Sequence, residues 1–254
     1  MLKLFRKQWA RTASLPSSVP ISANGVIYAV GDVHGRHDLL IRLLDRIARN
    51  VEADGSAPLI VFLGDYIDRG ENAREAVETL IDFSLSANAE TVFLRGNHEQ
   101  MLLDFLNDPA SGARWLRYGG LQTLMSYGVG GTGSLRAEAE LLRLRDALIE
   151  ALGPHLGFIE RLRESHLAGN LFFAHAGADP VRPTDDQDIE TLLWGCENFR
   201  TTEREDGIWV VHGHFVVEEA AAERGRIAVD TGAYFSGKLT AVRIADGEVS
   251  FIQA

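Results

Sequence analysis

Residues 26 to 99 alternate between short apolar runs and longer segments in which leucine and isoleucine recur at helical spacing. The apolar runs predict three buried strands, VIYAV at 26–30, PLIVFLG at 58–64 and TVFLR at 91–95. Helical patterns separate them, LLIRLLDRIARN at 39–50 and NAREAVETLIDFSL at 72–85. This β-α-β-α-β order predicts parallel strands joined by right-handed crossovers, and therefore an α/β fold.

The pattern changes between residues 100 and 168, which are mostly helical around a glycine-rich break at 127–134. We interpret this segment as a helical insertion. The aromatic residues of WLRYGGLQTLMSYG, 115–128, fit either a core or the border of a cleft. Strand patterns return afterwards, and the alternation around Asp246-Gly247 predicts a final β-hairpin. We expect one folded domain at 25–254, insertion included, after a flexible arm at 1–24.

Residue types that bind metals follow the predicted strands. The candidates are Asp32, His34, Asp65, Asn97, His175 and His214. Asp32, Asp65 and Asn97 are separated by 33 and 32 positions, which matches a βαβ unit of roughly 30 residues. Because the carboxyl ends of parallel strands share one rim, we expect these side chains to converge there.

Carboxylate, imidazole and carboxamide groups together suit manganese, iron or zinc. The candidates suffice for two ions, with Asp65 as the shared carboxylate between them. Two ions about 3.5–4 Å apart can hold a hydroxide and stabilise both the attacking and the leaving oxygen of phosphoryl transfer.

The net charge limits the classes of molecule that the protein is expected to bind. The net charge of −11 argues against a nucleic acid polymer, whose phosphate backbone needs a basic face. The same charge is compatible with a small phosphorylated substrate, because a bound metal ion makes the local electrostatic potential positive.

The single cysteine, Cys196, excludes an intramolecular disulfide and favours a reducing cytoplasm. No apolar run approaches the ~18–20 residues of a membrane span, and the basic, partly apolar N-terminus fits a mobile arm, a docking helix or weak attachment to an acidic surface.

Several short blocks resemble a known family. The blocks are GDVHG (31–35), GDYIDRG (64–70), GNHE (96–99), HAG (175–177), HGH (212–214) and VDTGAYFSGKLTAV (229–242). They are similar to the phosphoprotein phosphatase branch of the calcineurin-like metallophosphoesterases, which includes bacterial serine/threonine phosphatases and relatives that cleave diadenosine tetraphosphate. The resemblance implies a four-layer fold, a central mixed β-sandwich flanked by helices, with two divalent metal ions at its rim. Manganese is the first candidate, and iron and zinc are alternatives.

The resemblance also assigns roles by motif position. It implies a first metal held by Asp32, His34 and Asp65, and a second held by Asp65, Asn97, His175 and His214. His98 falls on the general acid, Asp68 on the carboxylate that orients it, and Arg69 on a phosphate-binding arginine. Asn97 and Tyr234 fall on positions that contact substrate. We expect Arg95 and Glu99 to support the loop.

The chain departs from the family pattern at two places. Phe215-Val216 follows HGH, where relatives usually carry Thr-Pro. Cys196 stands where many bacterial relatives carry a second phosphate-binding arginine. Arg200 is either its replacement or a solvent-exposed residue.

These features predict a metal-dependent phosphatase acting on phosphoserine and phosphothreonine in proteins. A hydroxide bridging the metals would attack phosphorus and His98 would protonate the leaving oxygen, so Cys196 is not expected to act as a nucleophile. The alternative is a hydrolase that cleaves diadenosine tetraphosphate symmetrically. A non-catalytic scaffold is a third hypothesis, disfavoured because the ligands, acid and arginine are all retained.

Overall fold

The computed structural model describes residues 19–130 and 137–254. Ten strands lie within these ranges: β1 Ile27–Val30, β2 Leu59–Phe62, β3 Glu90–Phe93, β4 Ser165–Ala168, β5 Leu171–Ala174, β6 Trp209–His212, β7 Ala221–Glu223, β8 Arg226–Ala228, β9 Thr240–Ala245 and β10 Glu248–Gln253. The helices are α1 His37–Asp54, α2 Ala73–Ser86, α3 Asn97–Asn107, α4 Gly112–Trp115, α5 Leu121–Ser126, α6 Glu138–Leu152, α7 Pro154–Glu160, α8 Ile189–Trp194 and α9 Ala233–Ser236. A 3₁₀ turn at Pro109–Ser111 and a π turn at Leu116–Gly120 connect α3, α4 and α5.

The first sheet has the strand order β10-β9-β1-β2-β3. β1, β2 and β3 pair in parallel, with Ile27 opposite Leu59 and Leu59 opposite Glu90. β9 pairs antiparallel with both β1 and β10. The predicted β-α-β-α-β unit and the hairpin at Asp246-Gly247 are therefore confirmed.

The second sheet has the order β4-β5-β6-β8-β7 and packs face to face with the first. Side chains alternate across a strand, so Ile27 and Ala29 point into the sandwich with Phe173 and Val211 of the second sheet. Tyr28 points to the opposite face, beneath α1 and α2. α8 covers the outer face of the second sheet through Leu192. The predicted mixed β-sandwich flanked by helices is confirmed.

The helical segment between β3 and β4 packs on the outer face of the first sheet. It begins at Asn97, and its last helix ends at Glu160. The predicted range 100–168 therefore overlaps β4, because this short edge strand alternates too weakly to be recognised beside helical patterns. The short β7 was missed for the same reason. Residues 131–136 of the glycine-rich break lie outside the described residues.

Most of the predicted N-terminal arm, residues 1–18, also lies outside the described residues, so the arm stays a prediction. The segment that follows borders the second sheet. Asn170 Nδ2 donates to the carbonyl of Pro20 at 3.0 Å and Trp209 Nε1 donates to that of Val19 at 2.9 Å. Within the described ranges, no helix has both the length and the apolar character needed to cross a bilayer.

The packing of α1 gives a test of the core. Leu40 on α1 is fully buried against the first sheet. Leu40→Ala should lower the free energy of unfolding by about 2–5 kcal/mol, because it removes apolar contacts and leaves a cavity. Urea denaturation measures the loss. Leu85→Ala is the control, since Leu85 is 82% exposed and its truncation should change stability by less than about 0.5 kcal/mol.

Candidate active site

The loops after the strands hold an unusual backbone. Seven non-glycine residues in the described ranges have a positive φ, a conformation that costs free energy for any side chain. Five of them lie in the loops that follow β1, β2 and β6. They are His34, Asp65, Asp68, Arg69 and His214, with φ between 46° and 68°. The fold therefore forces strained conformations where the candidate ligands are.

The Glu99 side chain stabilises these loops. Its buried carboxylate accepts hydrogen bonds from the backbone N–H groups of Asp65 at 2.9 Å, Tyr66 at 2.8 Å and Gly96 at 3.0 Å. Burial raises the pKa of Glu99 to about 7. Its oxygens are thus used to join the loops after β2 and β3, in agreement with the expectation that Glu99 supports the turn.

The first group of potential ligands contains His34 and Asp65. His34 Nδ1 donates to the carbonyl of Ile67 at 3.0 Å, which leaves Nε2 facing Asp65 Oδ2 at 3.5 Å. Burial lowers the pKa of His34 to about 3, so the ring is neutral at pH 7. Neutral imidazole is the form that binds metal.

The second group surrounds the same carboxylate. His175 Nδ1 donates to the carbonyl of Leu63 at 2.9 Å, and its Nε2 lies 3.4 Å from Asp65 Oδ2. The Asn97 Oδ1 atom lies 2.9 Å from His175 Nε2 and 3.0 Å from His214 Nδ1. Burial lowers the pKa of His175, but the Asp65 charge and hydrogen bond outweigh this and raise it to about 10. Metal binding at Nε2 therefore requires the loss of that proton.

Asp32 lies beside this second group. Its two carboxylate oxygens accept from the backbone N–H of His214 at 3.2 and 3.1 Å. Burial, followed by the neighbouring charge of Asp230, raises the pKa of Asp32. Asp230 is itself buried and accepts from the N–H of Gly232 at 2.8 Å. The sequence prediction did not include Asp230, although it lies in the VDTGAYF block.

These side chains form two groups that could each hold a metal ion. Atoms of His34, Asp65 and His98 lie within 4.8 Å of one another, and so do atoms of Asp65, His175 and His214. Asp65 belongs to both groups, as a bridging ligand must. His34 and His175 each bind a main-chain carbonyl through the other ring nitrogen, the arrangement that orients metal-binding imidazoles.

His98 occupies the space between the ligand groups and the helical segment. Its Nδ1 lies 2.6 Å from Asp68 Oδ2, and its Nε2 lies 3.2 Å from Arg69 Nη2 and 3.9 Å from Asp65 Oδ2. Burial lowers the pKa of His98, but the charges of Asp65 and Asp68 outweigh this, so the net shift is upward. Because it is close to His34 and Asp65 as well, both a ligand role and a proton-donor role are compatible with its position.

The helical segment positions Asp68. Trp115 Nε1 donates to Asp68 Oδ2 at 2.9 Å, and Thr123 Oγ1 donates to Oδ1 at 2.6 Å. The Thr123 hydroxyl also accepts from the backbone N–H of Asp68 at 2.9 Å. Sequence reasoning missed both partners, because the same helical pattern serves a core or a cleft. Asp68 is thereby restricted to the orientation in which it faces His98.

Arg69 and Tyr234 form the outer border of the site. The Arg69 guanidinium carbon lies 4.7 Å from the centre of the Tyr234 ring, which also contacts the His34 ring at 5.4 Å. Tyr118, from the π turn, lies 6.5 Å from the His98 ring on the other side. Both alternatives for the aromatic residues of 115–128 therefore occur, since Trp115 is buried and Tyr118 borders the cleft.

Comparison with known protein families matches residues 25–226 to the calcineurin-like phosphoesterases. The chain belongs to this family. Serine/threonine-protein phosphatase 1 of Salmonella typhimurium is 29% identical over 224 residues, 86% of this chain and 91% of that protein. A bis(5'-nucleosyl)-tetraphosphatase PrpE [asymmetrical] of Geobacillus is 26% identical over 243 residues, 86% of this chain and 90% of that one.

The fold of this phosphoesterase also has a counterpart among solved structures. The crystal structure of a putative diadenosine tetraphosphatase superimposes with a TM-score of 0.59 at 19% identity. The match covers 94% of this chain and 96% of that one. At this identity the likeness concerns the fold, and the chemistry has to be argued from the site.

The two departures from the family pattern lie at the edge of the site. The Arg200 guanidinium carbon lies 5.6 Å from the centre of the Phe215 ring and borders a different cavity, with His212. Arg200 is exposed, so the solvent-exposed alternative fits its position. Burial raises the pKa of the Cys196 thiol, which disfavours the nucleophilic thiolate at neutral pH.

This thiol chemistry gives a test of the site. Cys196→Ala should retain kcat within about two-fold, because transfer to water needs no enzyme nucleophile and Cys196 is not among the converging side chains. The measurement is steady-state hydrolysis of p-nitrophenyl phosphate with added manganese. Loss of most activity in a correctly folded Cys196→Ala protein would contradict the assignment.

Proposed function

We propose that this phosphoesterase removes phosphate from phosphoserine and phosphothreonine in proteins, using two divalent metal ions, with manganese as the first candidate. The similarity to a protein named as a serine/threonine phosphatase supports the substrate class. The observation that carries the reaction is the position of His98. Its Nδ1 is bound by Asp68, and its Nε2 faces the space between Arg69 and Asp65.

The protein groups that would hold the metals converge on Asp65. Asp32, His34 and Asp65 would hold one ion, and Asp65, Asn97, His175 and His214 would hold the other. The proximity of His34 to Asp65, and of Asp65 to His175 and His214, supports this division. Asp32 is assigned to the first ion by its motif, and its carboxylate lies beside His214. When bound, the two ions supply the nucleophile at neutral pH and positive charge that stabilises the transferring phosphoryl group.

Arg69 and Tyr234, beside the ligands, and Asn97, one of the ligands, would bind and orient the phosphate. Arg69 offers the planar guanidinium that matches two phosphate oxygens, and it has no carboxylate partner within the described ranges. The Tyr234 ring packs against this guanidinium and limits its rotation. Asn97 would contact the phosphate from the second metal set, where its Oδ1 lies 2.9 Å from His175 Nε2.

His98 then donates a proton to the leaving oxygen. A serine or threonine alkoxide is a poor leaving group, so protonation lowers the barrier. Asp68 fixes the ring by accepting from Nδ1, and its negative charge favours the protonated imidazole from which the proton leaves. Trp115 and Thr123 hold Asp68 in turn.

The acid role is tested by His98→Asn. It should lower kcat by about 10²–10⁴ while the metal content stays near that of the parent protein. Activity assays and metal analysis by mass spectrometry measure the two effects. Loss of metal with loss of activity would instead make His98 a ligand. Asp65→Asn is the matched control, because it should lose metal and activity together.

A second candidate is hydrolysis of diadenosine tetraphosphate. The similarity to a protein named as an asymmetrical bis(5'-nucleosyl)-tetraphosphatase, at the same coverage of the chain, favours the dinucleotide as substrate. That name does not support the symmetrical cleavage expected from the sequence. The same ligands, acid and arginine would serve both reactions. A side-by-side assay of a phosphothreonine peptide and diadenosine tetraphosphate with manganese separates them. We expect turnover of the peptide, and turnover of the dinucleotide alone would overturn the protein-phosphatase proposal.

A further inference from the structure

A cleft of about 390 Å³ opens to solvent beside Arg69. Its lining comes from two parts of the chain. Arg69 and Tyr234 form the side next to the metal ligands, while Arg117, Tyr118 and Gln122 of the helical segment form the opposite side with Gly119. None of the functional roles assigned above uses Arg117, Tyr118 or Gln122.

The helical segment is held closely against the catalytic loop at this cleft. The backbone N–H of Arg69 donates to the carbonyl of Gly119 at 3.4 Å. Gly119 has a φ of 117°, and a Cβ there would lie 2.6 Å from the Arg69 nitrogen. Trp115 and Thr123, on either side of the turn, bind Asp68. The cleft side chains therefore stand at a defined place relative to His98.

This place is where the leaving group departs. His98 gives its proton to the leaving oxygen, and the Tyr118 ring lies 6.5 Å from the His98 ring. A group bonded to that oxygen can therefore lie against Tyr118 and its neighbours. Because the cleft is open, a chain longer than the cleft can continue into solvent, as a peptide requires.

The charge of the cleft indicates what it binds. Arg117 is exposed, and within the described ranges no carboxylate or carbonyl oxygen is paired with its guanidinium. The cleft lining contains two arginines and no acidic residue, in a chain whose net charge is −11. Two like charges on one small surface repel each other unless an anion lies between or beside them. The substrate phosphate would pair with Arg69, and the Arg117 guanidinium is then available to pair with a second anionic group.

We propose that Arg117, Tyr118 and Gln122 form the subsite for the leaving side of the substrate, and that Arg117 selects phosphopeptides with an acidic residue next to the phosphorylated one. This inference rests on the proposed protein-phosphatase function. Successive residues of an extended peptide are about 3.3 Å apart, so the side chains flanking the phosphorylated residue fall within reach of the cleft. Tyr118 supplies a flat surface for the peptide and Gln122 an amide for its backbone.

The test compares two phosphothreonine peptides that differ only in having glutamate or glutamine on both sides of the phosphorylated residue. The parent protein with manganese should have a KM about 2- to 5-fold lower for the glutamate peptide, and this preference should shrink as salt is added. Arg117→Gln should abolish the preference and leave kcat nearly unchanged, because the lost contact binds ground state and transition state alike. Arg117→Lys should restore part of it.

Two controls separate the possible outcomes. Arg49→Gln removes one exposed positive charge near the end of α1, at the edge of the sheet opposite the strand ends that carry the site, and should keep the preference. Hydrolysis of p-nitrophenyl phosphate, which has no flanking residues, should be the same in the parent and in Arg117→Gln. A reduction on all substrates alike would make Arg117 a structural residue and overturn the inference.

Other results also decide the question. Equal KM for both peptides in the parent would refute the subsite and leave the proposed function intact. No turnover of either peptide or of p-nitrophenyl phosphate would refute the proposed function itself. If Arg117→Gln impairs only the hydrolysis of diadenosine tetraphosphate, the subsite takes a polyphosphate leaving group and the peptide assignment is wrong.

Discussion

The site depends on one buried negative charge, the carboxylate of Asp65. Burial alone would raise its pKa, but the surrounding imidazoles of His175, His98 and His34 outweigh burial and lower the pKa well below its usual range. The carboxylate is thus ionised. Its Oδ1 accepts from the backbone N–H of His98 at 3.0 Å, while Oδ2 faces the three rings. A buried charge needs such partners, and the geometry of the site follows from providing them.

The β-sandwich supplies the rigidity that this charge requires. Backbone conformations with positive φ at Asp65, His34 and His214 are costly, and they persist because the strands before them are packed between two sheets. The Glu99 carboxylate accepts hydrogen bonds from backbone N–H groups of the loops after β2 and β3. The stability of the core is therefore what allows strained loops to hold ligands in place.

The sheets and the helical segment contribute different residues to the site. The loops after the strands carry most of the candidate metal ligands, whereas α4 and α5 carry Trp115 and Thr123, which orient Asp68, and the π turn between them borders the cleft. Loops and insertions placed on a rigid scaffold are the usual location of specificity. In this chain the one segment contributes both to the orientation of Asp68, through Trp115 and Thr123, and to the cleft, through Arg117 and Tyr118.

The sequence by itself determined the parallel strands, the crossovers and the convergence of polar side chains at one rim. It could do so because buried strands are apolar throughout, because crossover spacing is regular, and because strand ends must share an edge. Only the tertiary structure decided which helical residues reach the site. Trp115 and Tyr118 lie three positions apart in one motif, yet one supports Asp68 from the core and the other borders the cleft. Periodicity predicts which residues are buried, but it does not predict which distant loop they contact. Those contacts exist only once the segment has packed against the rim.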